Sequence, residues 1–144
     1  MIDQKEPRTF LGFDYGMSFV GVAVGQTVTR TAKPLTTLKV EKGIPRWNQV
    51  KELIDTWRPD ALIVGLPLKM DGSNQLMTEK ALTFSEELSK RFSIPVHTID
   101  ERLTTVEAKA CLFEQGGYRA LNRTKVDAMA AKIILEAWMA SLSN

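Results

Sequence analysis

The apolar residues in the first part of the chain occur in short runs separated by turn residues, a pattern typical of strands. Residues 8–14 and 18–25 are rich in β-branched, aromatic and aliphatic side chains, and Gly16-Met17-Ser18 between them has the composition of a tight turn. A weaker run follows at 31–40, where Pro34 indicates an edge strand or a bulge. The pattern predicts a three-stranded antiparallel meander.

After the meander, helical periodicity alternates with short apolar runs. Helices are predicted at about 46–57, 75–92, 104–115 and 125–141, with strands at 61–67 and 94–99. The continuous apolar run of 61–67 is typical of a buried parallel strand. The order β-β-β-α-β-α-β-α-α predicts an α/β fold, in which a mixed five-stranded sheet combines the meander with two parallel strands and carries helices on both faces.

Length and composition narrow the class of protein. A chain of 144 residues, 44% hydrophobic and 25% charged, predicts a single globular domain at 9–141 after a loose tail at 1–8. The net charge of +2 permits nucleic-acid binding without arguing for it. The single cysteine, Cys111, excludes an internal disulfide and fits a reducing cytoplasm. No apolar run approaches the ~20 residues that span a membrane.

Acidic residues follow several of the predicted strands. Asp14 ends the first strand, Asp71 lies in the loop after 61–67, and Asp100 and Glu101 end the last strand. Because sites form at the carboxyl ends of parallel strands, these residues are expected at one edge of the sheet, with Asp127 at the start of the last helix beside them. Carboxylates gathered in this way repel one another, and Mg²⁺ or Mn²⁺ relieves the repulsion by taking oxygen ligands.

Each acid also has a structural interpretation. Asp71 precedes Gly72 and suits a turn, and Asp127 follows Thr124 by three positions, as in a capping box. Asp100 and Glu101 are adjacent, so in a continuing strand they point to opposite faces and at most one faces a metal directly. Arg119, Arg123 and Lys125 crowd next to Asp127, which favours phosphate contact over a solvated loop.

Four motifs together resemble the YqgF family over about 9–140. They are Gly12-Phe13-Asp14-Tyr15-Gly16, Val64-Gly65-Leu66-Pro67-Leu68 with Asp71-Gly72-Ser73, Asp100-Glu101-Arg102-Leu103-Thr104-Thr105, and Asp127-Ala128-Met129-Ala130-Ala131. The resemblance implies an RNase H-like fold, similar to that of RuvC-type resolvases, and a cytoplasmic bacterial nuclease. The family is described both as Holliday junction resolvases and as nucleases that mature the 5′ end of pre-16S ribosomal RNA.

Carried over by motif, Asp14, Glu101 (or its neighbour Asp100) and Asp127 become the catalytic acids. The hypothesis is that Asp14 bridges two Mg²⁺ or Mn²⁺ ions while Glu101 and Asp127 each complete one ion's shell. Candidate substrate-binding residues are Lys69, Ser73, Arg102, Arg119, Arg123 and Lys125. The last helix departs from resolvase-type sites, because Ala130 and Ala131 stand where a second carboxylate is often found.

The substrate and the oligomeric state stay open at this stage. Structured RNA and branched DNA fit the same chemistry, and the choice between them rests on family analogy. A resolvase that cuts two strands together favours a homodimer, whereas a processing nuclease is compatible with a monomer. Two further classes are a non-catalytic nucleic-acid-binding protein and a fragment of an actin or sugar-kinase-like phosphotransferase, although 144 residues are too few for the two domains of the latter.

Overall fold

A mixed six-stranded sheet forms the centre of the molecule. The computed structural model describes residues 7–101 and 123–142, and of 123–127 it describes the backbone alone. The strands are β1 (Thr9–Tyr15), β2 (Phe19–Gln26), β3 (Thr31–Glu41), β4 (Ile44–Pro45), β5 (Ala61–Leu66) and β6 (Val96–Asp100). They lie in the order β4-β3-β2-β1-β5-β6. β1, β2, β3 and β4 pair in antiparallel fashion, whereas β5 is parallel to both β1 and β6.

Helices cover both faces of this sheet, as predicted. They are α1 (Trp47–Trp57), α2 (Leu76–Phe92) and α3 (Arg123–Ser141). Alternate residues of β1 point to opposite faces, so Leu11, Phe13 and Tyr15 join the core formed with α1 and α2, while Phe10 joins the core formed with α3. In the described part of the chain no helix is long and apolar enough to cross a membrane.

The number of strands differs from the prediction of five. The five predicted strands do not include residues 41–45, but Ile44 and Pro45 form β4 and pair with Glu41 and Val40. A two-residue strand is too short to show any alternation, which is why the pattern does not reveal it. Pro34 does mark a bulge: Val22 pairs with Thr36 and Ala23 with Pro34, so Leu35 is the extra residue. The predicted helix at 104–115 lies outside the described residues.

α3 approaches the sheet closely because glycines face it. A Cβ at Gly12 would lie 2.9 Å from Leu135 Cβ and 3.1 Å from the carbonyl oxygen of Ala131. A Cβ at Gly25 would lie 2.9 Å from both Leu135 and Met139 side-chain carbons. Since Gly25 pairs with Phe10, two residues before Gly12, α3 runs antiparallel to β1 with its N-terminal end towards Asp14.

Candidate active site

Three parallel strands end at the same edge of the sheet, and the candidate acids lie at their ends. β1 and β5 are in register from Phe10 and Ala61 to Phe13 and Val64. β5 and β6 are in register from Leu62 and Val96 to Leu66 and Asp100. Asp14 is thus one residue beyond the last β1–β5 pair, and Asp100 closes the last β5–β6 pair. This edge is the one at which α/β sheets place their sites.

Asp14 and Glu101 lie on the same face of this edge, the one that α3 covers. Alternation from Phe10 places Asp14 on that face, and alternation from Ile99, which packs in the α3 core, places Glu101 there too. The Glu101 N–H donates to the Leu66 carbonyl oxygen at 3.1 Å, which continues the β6 ladder by one residue. The two carboxyl groups share a side-chain hydrogen bond.

Gly65 provides the space for the Glu101 carboxyl group. It lies on β5 between the two acids, opposite Ile99 in register. A Cβ at this position would collide with Glu101 Oε2 and would lie 2.6 Å from Ile134 Cδ1. A glycine inside a buried strand often marks a close approach by another group, and here the group is a carboxylate. Gly65 has no role assigned to it among the sequence motifs, although a glycine inside an apolar run is the signal that indicates one.

Burial raises the pKa of Glu101 to about 9, and the charge of Asp14 and its hydrogen bond add to the effect, with a smaller contribution from Asp100. Glu101 is only 7% exposed. At neutral pH and without a cation, the pair therefore holds one proton, which is shared in the hydrogen bond between the two carboxyl groups. Two carboxylates that cannot both ionise without a counter-charge form a natural cation site.

Asp100 occupies a different position from Glu101. It is exposed and, as the residue before Glu101 in an extended segment, it points towards the opposite face of the sheet. Its charge still contributes to the raised pKa of Glu101. Of the two adjacent acids, Glu101 is the one that the structure brings into contact with Asp14.

The start of α3 runs towards this pair. Ala131 lies against Gly12, two residues before Asp14 on the same face. Position 127 is one helical turn closer to the N-terminus of α3, about 6 Å along its axis, and two residues of strand cover about 6.6 Å. The backbone of Asp127 is therefore level with Asp14. The side chains of Arg123, Lys125 and Asp127 lie outside the described residues, as do Arg102 and Arg119 entirely.

The loop after β5 is a hydrogen-bonded turn beside the two acids. The Gly72 N–H donates to the Lys69 carbonyl oxygen at 2.8 Å, and the Ser73 hydroxyl and N–H donate to Asp71 Oδ1 at 2.6 and 2.9 Å. Asp71 thus has the turn role that its sequence context favours. The Ser73 hydroxyl is engaged within the loop, and Lys69 is exposed.

The donor set of the site fits a hard divalent cation. Two carboxyl groups converge from β1 and from the end of β6, and oxygen ligands suit Mg²⁺ or Mn²⁺. Among the residues whose side chains are described, no cluster of three or more acidic, histidine or cysteine side chains is positioned to hold a metal. The resemblance to the YqgF family implies Asp127 as a further ligand, and the side chain of Asp127 lies outside the described residues.

Comparison with known proteins places the chain in one family. The family model described as "RuvX: Holliday junction resolvase" matches residues 8–141. A protein of Proteus mirabilis named "Putative pre-16S rRNA nuclease" is 53% identical over 131 residues, which cover 91% of this chain and 94% of that protein. A protein of Legionella pneumophila with the same name is 52% identical over 134 residues, covering 92% and 96%.

Solved structures with the same fold are resolvases. The RuvC of T. thermophilus in complex with a Holliday junction substrate matches with a TM-score of 0.54 at 18% identity, covering 92% of this chain and 94% of that one. The Fowlpox virus resolvase in complex with Holliday junction DNA matches with a TM-score of 0.57 at 13% identity, covering 94% and 99%. At these identities the likeness shows the fold, which is the predicted RNase H-like one.

Proposed function

The chain belongs to the RuvX family of Holliday junction resolvases, and from that premise we propose that it is a metal-dependent nuclease that processes the 5′ end of pre-16S ribosomal RNA. The observation that carries the proposal is the Asp14–Glu101 pair at the carboxyl edge of the sheet. A buried acid pair of this kind is unfavourable for folding alone, because removing charge from water is costly. Its presence is explained if the pair holds a cation during catalysis.

In this proposal each residue of the site has a separate role. Asp14 and Glu101 would hold Mg²⁺ or Mn²⁺, with Asp127 as a third ligand. When bound, such an ion supplies an activated water and charge neutralisation at a phosphodiester. Glu101 would hold the cation in its deprotonated form, and Gly65 keeps the space into which its carboxylate fits. The helix α3, seated on Gly12, fixes the level of Asp127 relative to the pair.

Cationic residues around the edge would hold the flanking phosphates. Lys69 lies in the turn next to the site, and Arg123 and Lys125 lie in the first turn of α3. Arg102 and Arg119 complete the set that we assign to substrate binding, with Ser73 in the same loop as Lys69. The names of the relatives favour a ribosomal RNA precursor as substrate and hence a cytoplasmic site of action.

Cleavage of two labelled substrates by the purified protein tests the proposal. One is a pre-16S RNA that carries its 5′ leader, and the other is a mobile four-way DNA junction. Asp14→Asn is the inactive variant, and Asp55→Asn makes the same change at an exposed site on α1, where the carboxylate pairs with Lys51 at 2.7 Å. We expect the wild type and Asp55→Asn to cut the RNA with Mn²⁺ and not with a chelator, and Asp14→Asn to be inactive.

Junction resolution is the second candidate, and the description of the matched family model favours it. Symmetric cutting of the DNA junction, with the RNA left intact, would select this function and would imply a dimer that acts on both strands. Equal cutting by Asp14→Asn and the wild type would remove Asp14 from the chemistry. If neither substrate is cut by any variant, the nuclease assignment fails for both.

A further inference from the structure

Large apolar side chains are exposed mainly at the edge that carries the acid pair. Five are exposed among the described residues, namely Met17, Val28, Ile44, Met70 and Leu76. Val28 lies in the turn between β2 and β3, at the opposite edge. The other four lie at the carboxyl edge of β1 and β5 or beyond the end of β3, which runs parallel to β1. Among the described residues, the edge that carries the acid pair therefore exposes more large apolar side chains than the opposite edge.

Two of these residues lie in turns on either side of the end of β1. Met17, 56% exposed, follows Asp14 by three residues in a turn where the Gly16 N–H donates to the Phe19 carbonyl oxygen at 2.9 Å. Met70, 77% exposed, follows the end of β5 by four residues. Since β1 and β5 are neighbouring strands about 4.8 Å apart, the two turns leave the sheet side by side.

The turn that carries Met70 is held rigidly. The hydrogen bond between Gly72 and Lys69 closes the turn around Met70 and Asp71, and Gly72 has the positive φ of 88° that suits glycine. At the base of the loop the Gln75 side chain and the Thr78 hydroxyl both donate to the Pro67 carbonyl oxygen, at 2.7 and 2.6 Å. The loop therefore presents an apolar tip at low entropic cost on binding.

The residue next to Met70 in this loop carries a positive charge. Lys69 precedes Met70 and is exposed, and no salt bridge joins it to another residue in the part of the chain that the structure describes. An apolar side chain beside a free ammonium group complements a nucleotide, whose base presents a π-face next to a phosphate. Methionine suits such a contact because its thioether is polarisable, adapts its shape and interacts favourably with aromatic rings.

Resting on the nuclease function proposed above, we propose that Met17 and Met70 insert against the bases on either side of the phosphodiester bound at Asp14 and Glu101 and hold those bases unstacked. Apolar wedges of this kind separate base steps in other nucleic-acid complexes. Unstacking opens the backbone between the two bases, so the scissile phosphate can reach the Asp14–Glu101 pair at the carboxyl edge of the sheet. Because a π-face is common to all bases, the contact selects for deformable sites more than for sequence.

The test uses RNA spanning the 5′ end of 16S, with 2-aminopurine at each position flanking the cleavage site in turn. All proteins carry Asp14→Asn, so that the RNA stays intact. Met17→Ala, Met70→Ala and the double variant are compared with Val28→Ala, which removes an equally exposed apolar side chain at the opposite edge. We expect the parent and Val28→Ala to raise the fluorescence of the flanking base. Each single variant should bind about tenfold more weakly, as loss of one stacked contact implies, and the double variant should lose the fluorescence rise and bind more weakly than either.

The other outcomes contradict the proposal in distinguishable ways. Full unstacking by the double variant would overturn the wedge. The nuclease function would still stand if the two methionine substitutions, made in the protein that keeps Asp14, left cleavage unchanged. A wild type that sediments as a dimer, with Met70→Ala as a monomer, would assign the tips to self-association instead. If the parent protein does not bind the RNA at all, both the wedge and the proposed substrate fail.

Discussion

Glu101 shows at the scale of one residue how burial and a neighbouring charge create a candidate site for a cation. A glutamate in water is ionised at neutral pH, whereas this one keeps its proton because its surroundings exclude water and Asp14 lies against it. The same feature makes folding stability depend on pH.

The pH dependence of stability tests this account of Glu101. Its pKa rises from 4.5 to about 9 on folding, so below pH 4.5 both states hold the proton. Between these values only the folded state holds it, and the free energy of unfolding falls as pH rises. We expect Glu101→Gln to remove this loss, which is on the order of a few kcal/mol for the metal-free wild type at pH 9. Thermal denaturation in chelator from pH 4 to 9 measures it.

Glu86→Gln is the control for that series, since Glu86 is exposed on α2. Its stability should follow the wild-type curve. A wild-type curve that is parallel to that of Glu101→Gln over this range would show that Glu101 is ionised in the folded protein.

Gly65 tests whether the space beside Glu101 matters for function. A Cβ at this position would collide with Glu101 Oε2 and crowd Ile134, so Gly65→Ala should destabilise the fold by about 1–3 kcal/mol and weaken metal binding as well. Gly25→Ala is a matched control, because its Cβ would crowd Leu135 and Met139 at the far end of β1. It should cost similar stability and leave the metal affinity, measured by calorimetry, unchanged. Equal affinities in the two variants would contradict the role of Gly65.

At the scale of elements, α2 holds the loop after β5 in place through its first turn. The buried Thr78 accepts a hydrogen bond from the Gln75 N–H at 3.0 Å and donates one to the Pro67 carbonyl oxygen. Together they tie the helix N-terminus, the loop and the end of β5 into one unit. The position of Lys69 and Met70 relative to the sheet thus depends in part on the hydrogen bonds of Thr78.

Thr78→Val removes both of these hydrogen bonds while keeping the shape of the side chain. We expect a loss of about 1–3 kcal/mol in unfolding free energy, together with faster amide exchange at Lys69 and Gly72. Thr83→Val is the matched control, since the Thr83 hydroxyl is exposed and donates to the Glu79 carbonyl oxygen within the same helix. Its effect should stay below about 0.5 kcal/mol. Unchanged exchange in Thr78→Val would show that the loop is held by other contacts.

The elements that were predictable from sequence are those that are long and strongly patterned. β5 is an unbroken apolar run because both of its faces are buried. α1 and α2 have periodic apolar stripes because each helix buries one face. Which of Asp100 and Glu101 contacts Asp14 could not be predicted from sequence, because it depends on how far β6 continues beside β5. That is decided by the hydrogen bond between Glu101 and Leu66, a contact across 35 residues of chain.

At the scale of the whole molecule, the sheet separates two cores and joins them at one functional edge. One core with α1 and α2 and another with α3 fix the two faces of β1 independently. Asp14 belongs to the α3 face, and its neighbour Tyr15 is packed against Phe84 of α2, with ring centroids 4.9 Å apart. Movement of either helix layer would therefore shift the end of β1, and we expect metal binding at the proposed site to be coupled to global stability.

This coupling predicts how a divalent cation changes the stability of the entire protein. A ligand that binds only the folded state stabilises it by RT ln(1 + [L]/Kd), about 2.7 kcal/mol at a hundredfold excess over Kd. Because Glu101 must lose its proton to coordinate, Mg²⁺ or Mn²⁺ should raise the melting temperature more at pH 8.5 than at pH 6. Asp14→Asn should abolish the shift at both values, while Asp55→Asn should keep it. A shift that is independent of pH, or one that survives in Asp14→Asn, would place the cation away from the acid pair.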